Sequence, residues 1–314
     1  MRTMIPILQT PLGTLFESDC TAVMRELPTS SVDLAFADPP FNLGKTYRSK
    51  IDDAKASEDY LQWCKIWLDE MIRLLRPGGS LFLWNLPKWN LPLGAHIGNK
   101  LTFRHWITVD IKYSLPISGR LYPSHYSLLY FVKGEKPNIF HPDRMPITCC
   151  RHCGGELKDY GGYKDKMNPS GVNLSDVWTD IPPVRHAKYK KRAANALDLK
   201  LMDRIVTMAS DPGSVVLDPF GGSGTTYVAA ELSGRRWIGS DLHCEDIVDR
   251  FDDLAGDREH LKLIRSNKNK LFTEADLARR LKSGKPLSKD YRLTPMVTCE
   301  CPVDVGQTEL RLKV

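Results

Sequence analysis

The chain has 314 residues, 42% of them hydrophobic, enough for one large α/β domain with additions or for two small domains. The net charge of +6 is local: residues 258–292 hold eleven Lys/Arg against four Asp/Glu, which leaves the remainder close to neutral. There is no run of about 18 apolar residues to span a membrane, no apolar signal core after Met1-Arg2-Thr3, and eight cysteines without a secretory context argue against a disulfide framework, so the expected location is cytoplasmic.

The apolar run Val32–Ala37 reads as a strand and ends at Asp38-Pro39-Pro40-Phe41. Ser57 is placed as the cap of a helix with Tyr60, Trp63, Trp67, Met71 and Leu74 at three- and four-residue spacing. Pro77-Gly78-Gly79 is expected to end that helix. Ser80–Trp84 and Tyr126–Val132 read as buried strands, the second closed by Lys133-Gly134. From about 134 to 180 the alternation gives way to Pro, Gly, Cys and charge, the mark of an inserted irregular segment. Regular pattern resumes near 196 with a helix (Leu197–Ala209), a turn (Asp211-Pro212-Gly213) and a strand (Ser214–Leu217). A glycine loop, a helix (about Thr225–Leu232) and a strand (Trp237–Ser240) ending at Asp241 follow. This alternation specifies an α/β fold, a mostly parallel twisted sheet with helices on both faces. The expected division is a body over 1–255, with the insert at about 134–180, and a polar basic extension over 256–314.

The glycine loop is Asp218-Pro219-Phe220-Gly221-Gly222-Ser223-Gly224-Thr225-Thr226. Strand, glycine loop and helix start together hold nucleotide-like ligands, because glycine lets the backbone approach closely and the helix start offers free N–H groups. A phosphate-binding P-loop needs Gly-Lys-Ser/Thr at its end, but Gly224 is followed by Thr225. The dinucleotide fingerprint needs a further glycine where this chain has Tyr227. Asp241, at the end of the next strand, can accept hydrogen bonds from both hydroxyls of a ribose. An adenosine ligand without a pyrophosphate fits, and S-adenosylmethionine is one. A plain tight β–α turn is the competing reading.

At the other motif the consecutive prolines fix the backbone and so aim the Asp38 carboxylate and the carbonyls around Pro39, while Phe41 supplies a flat face. Two acceptors and a ring suit a flipped base with an exocyclic amine; the alternative is a proline-rich turn. Together the two motifs resemble the amino-group DNA methyltransferases, which methylate adenine N6 or cytosine N4 from S-adenosylmethionine and share a Rossmann-like methyltransferase fold. Asp38-Pro39-Pro40-Phe41 with Asn42-Leu43-Gly44 is similar to the adenine-specific version; the cytosine version more often begins with Ser. The catalytic motif precedes the cofactor motif, an order that resembles the permuted β subgroup, in which the segment between them holds target recognition.

The resemblance covers roughly residues 14–250 and takes in Ser18-Asp19-Cys20, Leu75–Ser80 and Asp176-Val177-Trp178. It implies Asp38, Pro39, Pro40 and Phe41 as catalytic residues. As cofactor residues it implies Asp19, Cys20, Asn195, Asp218, Phe220, Gly222, Ser223, Gly224, Thr225 and Asp241. Relatives carry Pro-Thr-Gln-Lys-Pro before the helix that leads to the cofactor motif; here the stretch is Ala193-Ala194-Asn195-Ala196-Leu197, with Asn195 in place of the Gln. Double-stranded DNA is the implied partner, and a cognate restriction endonuclease and a homodimer are compatible with it. Other readings are a cytosine-N4 enzyme, a DNA-binding relative without catalysis, and an RNA or protein methyltransferase of the same fold.

Lys188, Lys190, Lys191 and Arg192, grouped around Tyr189, suit contact with a DNA backbone or form a solvated linker. The basic arm after 258 suits a polyanion or is a solvated helical face. Cys150 and Cys153 have half the spacing of a zinc knuckle, which Cys299 and Cys301 could complete only if the tail folds back; a metal-free recognition loop is the preferred reading.

Overall fold

The computed structural model describes residues 4–43, 55–110, 118–119, 121–145, 172–182 and 196–266. The first half of the chain builds β1 (Leu8–Gln9), β2 (Gly13–Glu17), α1 (Cys20–Glu26), β3 (Val32–Ala37), α2 (Ser57–Leu74), β4 (Leu75–Asn85), α3 (Pro87–Gly98), β5 (Thr102–Asp110) and β6 (His125–Val132). Three two-residue strands follow, β7 (Arg144–Met145), β8 (Val172–Asn173) and β9 (Val177–Trp178). The last part supplies α4 (Leu199–Ala209), β10 (Val215–Asp218), α5 (Thr225–Glu231), β11 (Arg236–Asp241), α6 (Glu245–Asp252) and α7 (Ala255–Ser266).

A sheet of nine strands runs β1-β2-β11-β10-β3-β4-β6-β5-β9. Its centre, β2 through β4, is parallel throughout. Strand β6 lies antiparallel between β4 and β5. The central strands are apolar without interruption because both their faces are covered. Leu34, Phe36, Phe82, Trp84 and Val216 pack into one core with α4, α5, α6 and α7. Their neighbours Ala35, Ala37, Leu81, Leu83, Val215 and Leu217 pack into a second core with α1, α2 and α3, as the two-residue period of a strand requires. The crossover β3–α2–β4 thus lies on one face and β10–α5–β11 on the other. The strand order reverses between β3 and β10, and the carboxyl ends of those two strands open a crevice.

Two expectations are corrected. Ser57 is the first helical residue; Ala56 occupies the cap and makes no side-chain bond, and Glu58 and Asp59 in the first turn favour the helix start electrostatically. Pro77-Gly78-Gly79 does not separate helix from strand, because α2 already ends at Leu74 and β4 begins at Leu75. Gly78, at φ +79°, donates its N–H to Lys133 O at 2.6 Å, and Lys133 N returns a bond to Gly79 O. Helix α7, at the start of the basic extension, buries Leu261 and Ile264, Arg265 bonds Asp203 at 2.7 Å, and Arg250 bonds Asp257 at 2.7 Å. The inserted segment is rooted in the body as well. Val177–Trp178 pairs with β5, and Asp143 and Asp180, from its two sides, both grip the buried Arg204 of α4, at 3.0 and 2.6 Å.

Candidate active site

Four adjacent strands deliver acids to one edge of the sheet: Glu17 ends β2, Asp241 ends β11, Asp218 ends β10 and Asp38 follows β3. Burial, and then the neighbouring Asp218 carboxylate, hold the Asp38 carboxyl well above the usual carboxylate range. Asp218 is itself pushed up to about 7, chiefly by burial, although bonds from Thr226 and Phe220 pull it down. Burial also raises Asp241. Such a row repels phosphate and welcomes a cation.

The tetrapeptide is braced from behind. Tyr60 donates its hydroxyl to Pro40 O at 2.7 Å and receives Asn85 Nδ2 at 3.0 Å. Trp89 Nε1 donates to Phe41 O at 2.8 Å. Asn42, at φ +54°, bonds both the N–H and the carbonyl of Lys55 and so fastens the far side of the turn. Two of the carbonyls are thereby engaged. Among the described residues no group donates to the Pro39 carbonyl or to the Asp38 carboxylate. Phe41 is half-buried, with its ring 6.2 Å from that of Tyr126; Tyr126 in turn lies 4.9 Å from Trp84. The Tyr126 phenol is raised by burial and then by Asp38.

Across the crevice, Gly222 at φ +54° and Gly224 at φ +74° take the left-handed backbone that the loop needs. Asp241 Oδ2 accepts from Gly222 N at 2.7 Å and its Oδ1 from His243 N at 3.1 Å. Asp218 accepts from Phe220 N at 3.0 Å and from the Thr226 hydroxyl at 2.5 Å. Phe220 rests edge-on against Trp63 and Trp67 of α2. Asp19 caps α1 through the N–H groups of Thr21 and Ala22, while Ser18 N reaches Asp241 O at 2.9 Å. Cys20 is buried, its thiol pushed up to about 12 by that burial and by Asp19. The Thr225 hydroxyl receives Arg250 and donates to Leu197 O, and that of Ser223 lies 3.2 Å from it. These two hydroxyls therefore brace the loop, and what the positions retain for a ligand is main chain.

Tyr227 explains why the dinucleotide fingerprint is interrupted. The buried ring stacks on Trp237 at 4.9 Å, and its hydroxyl donates to Asp218 O at 2.8 Å. It fills the space that Gly239 leaves open, where a Cβ would stand 2.3 Å from Tyr227 Cζ.

The structure thus brings Asp19, Cys20, Asp38, Pro39, Pro40, Phe41, Asp218, Phe220, Gly222, Ser223, Gly224, Thr225 and Asp241 to one edge of the sheet. Asn195, Lys188, Lys190, Lys191, Arg192, Cys150, Cys153, Cys299 and Cys301 lie outside the described residues. Sequence reasoning missed Glu17, Tyr60, Trp89 and Tyr126 as contributors to this region. Tyr60 and Tyr126 carried a signal only as apolar positions in a helix and a strand.

The profile of a family described as DNA methylase matches residues 32–248. The chain is 51% identical over 288 residues to the Type II methyltransferase M.BamHI of Bacillus amyloliquefaciens, covering 91% of this chain and 68% of that protein. It is 32% identical over 244 residues to the DNA adenine methyltransferase YhdJ of Escherichia coli K12, covering 74% and 80%. Among solved structures, the PvuII DNA methyltransferase (cytosine-N4-specific) superposes with a TM-score of 0.59 at 19% identity, over 83% of this chain and 94% of that one. The M1.HpyAVI–SAM complex gives 0.52 at 17%, over 77% and 100%. At such identities these two likenesses speak for the fold, a Rossmann-like methyltransferase sheet.

Proposed function

The chain belongs to the DNA methylase family, as an amino-group DNA methyltransferase of Type II kinship that uses S-adenosylmethionine, and we propose that it methylates a base amine held directly by Asp38. One observation carries this reading: an acidic side chain and a rigid carbonyl, Asp38 and Pro39, stand side by side without donors among the described residues, in a turn whose next two carbonyls, of Pro40 and Phe41, are engaged. An exocyclic amine offers the two N–H groups that such a pair lacks.

A base inside a duplex cannot reach Asp38 and has to be flipped out. Phe41 and Tyr126 offer aromatic walls for it. Asp38 and the Pro39 carbonyl orient the amine, so that much of the rate comes from positioning. In its ionised form, which a neighbouring positive charge favours, Asp38 can take the amine proton once the new bond is forming. Bound S-adenosylmethionine supplies a methyl group on a positively charged sulfur. The residues fit that charge, because Asp38, Asp218 and Asp241 form an acidic row. Asp241 is assigned to the ribose, Phe220 to the adenine side, the main chain of Gly222, Ser223, Gly224 and Thr225 to close approach, and Asp19 with Cys20 to the rim. Asn195 is assigned to the same cofactor.

Adenine N6 is the first reading, since Asp heads the tetrapeptide and the relative YhdJ is named an adenine methyltransferase. Cytosine N4 is the second, because its amine presents the same two N–H groups. The segment about 134–180 is assigned to target recognition, Lys188, Lys190, Lys191 and Arg192 to DNA phosphates, and the basic chain beyond Ser266 to further phosphate contacts. A cognate restriction endonuclease and a second copy of the chain are the proposed protein partners.

The deciding test is a nucleoside digest of DNA incubated with the purified protein and S-adenosylmethionine, read by mass spectrometry. N6-methyladenine supports the first reading and N4-methylcytosine the second. Absence of both, from protein that binds the cofactor, overturns DNA amine methylation.

A further inference from the structure

Helix α6 lies against the glycine loop. Ile247, fully buried, packs beside Gly221 and Gly224, where an added Cβ would stand 2.8 and 3.0 Å from the isoleucine side chain. Three residues on, and so on the same face of the helix, comes Arg250, which is 6% exposed. Its Nη1 donates to Ser223 O at 3.0 Å and to the Thr225 hydroxyl at 2.9 Å. Its Nε and Nη2 reach the two carboxylate oxygens of Asp257, on α7, each at 2.7 Å. One guanidinium therefore ties the loop to two helices.

A buried cation needs a partner, and the bidentate carboxylate supplies one. With the planar fork held by Asp257, the remaining N–H groups are aimed rather than free to rotate. They meet a carbonyl that decides the shape of the loop. The Ser223 carbonyl and the Gly224 N–H belong to one planar peptide. Arg250 holds its oxygen, and Gly221 O accepts its N–H at 2.7 Å. That peptide leads into a residue at φ +74°, where α5 starts, so its orientation fixes how the main chain of Ser223, Gly224 and Thr225 is presented. Thr225 passes the tie on to Leu197 O, just ahead of α4. We propose that Arg250 and Asp257 are positioning residues for the cofactor: the pair clasps the loop in its binding shape, and α7, at the root of the basic extension, thereby becomes part of the cofactor site. The inference rests on the assignment of the glycine loop to S-adenosylmethionine.

The test compares S-adenosylmethionine binding by calorimetry with melting of the cofactor-free full chain. In the double variant Arg250→Met/Asp257→Leu both charges leave together, which is often neutral or stabilising for a fold, but Ser223 O loses its donor. The expected result is a melting temperature close to wild type with affinity lower by about tenfold or more, as the loss of a hydrogen bond from a charged group implies. Arg250→Lys keeps a charge beside Asp257 without the fork that spans both sides, and its affinity should fall as well. Leu261→Ala loosens buried α7 without touching the pair; it should lower the melting temperature and leave affinity in place. Wild-type affinity in the double variant, or in Arg250→Lys if the double variant does not fold, would overturn the clasp. So would a loss of affinity in Leu261→Ala as large as theirs, which would reduce the pair to general support. Asp241→Asn, at the position assigned to the ribose, separates the two readings. If it too binds the cofactor as wild type does, the assignment of the loop fails and the clasp with it; if it weakens binding while the Arg250 variants do not, the clasp alone fails.

Discussion

Asp38 and Asp218 are near neighbours with different duties, and their surroundings separate them. Asp218 is tied by Phe220 N and Thr226 and holds the loop; Asp38 has no donor among the described residues and is the group proposed to receive the substrate amine. Asp38→Ala should therefore lower methyl transfer by about a thousandfold, within the range typical of a lost acid–base group, while calorimetry shows cofactor affinity kept within a few-fold. Transfer by that variant at the wild-type rate would sink the mechanism. Asp218 makes a prediction about pH. Its folded value of about 7 lies above that of an unfolded carboxyl near 4, so the folded protein binds the extra proton. The stability this confers is complete below about pH 4 and is lost as pH rises through about 7. An Asn can bond both Phe220 N and the Thr226 hydroxyl without that charge. Melts of the cofactor-free protein should show Asp218→Asn gaining on wild type as pH goes from 5 to 8. Cofactor affinity of the wild type should move the opposite way over the same range, rising as the acids ionise toward a cation.

Among the elements, the loop between β10 and α5 depends on a ring. Gly239→Ala would put a methyl group 2.3 Å from Tyr227 Cζ. Overpacking of this kind costs about 1–3 kcal/mol, and because Tyr227 also bonds Asp218 O, the crevice should loosen with it. Thermal melts and cofactor titrations should show both losses, and pairing the change with Tyr227→Leu should return much of the stability. This region was largely legible in the sequence: β10, its turn and its glycines follow a clear strand–loop–helix order, and Tyr227 was visible as the wrong residue for a dinucleotide. The ring's purpose was not, since it depends on Gly239 in another strand. Tyr60 and Trp89 were hidden for a similar reason. Helical spacing identifies a buried face but says nothing of the carbonyl that a ring's polar tip will meet. Strand β5 escaped because Thr102–Trp106, its first half, are all exposed, which erases the alternation that marks a strand. Helix α3 escaped because Pro92 and its glycines read as breakers.

For the whole molecule, the charge surplus was legible as composition, but not which of its cations are already paired. Leu261 and Ile264, three residues apart, fasten α7 to the body, but Lys and Arg crowd around them in the sequence. Arg265 and Lys262 are occupied with Asp203 and Glu259. The phosphate contacts assigned to the extension therefore fall to cations after Ser266. Replacing Lys282 and Lys285 with alanine should lower the slope of log K against log salt for duplex DNA by roughly 0.9 for each phosphate no longer neutralised, with sequence preference unchanged. An unaltered slope, measured by anisotropy at salt from roughly 50 to 200 mM, would remove these lysines from the DNA surface.

The pairing of β3 with β10 also has a consequence for synthesis. Asp33 meets Val215 across 182 residues of chain. At about 5–20 residues per second, a growing chain holds β3 on the order of 10–40 s before β10 leaves the ribosome. Through that interval β4 can cover one side of β3, while the other side stays an open apolar edge, the kind that recruits stray strands. A ribosome that stalls before residue 215 releases such a fragment, with a sticky border and only one of the two motifs that line the crevice.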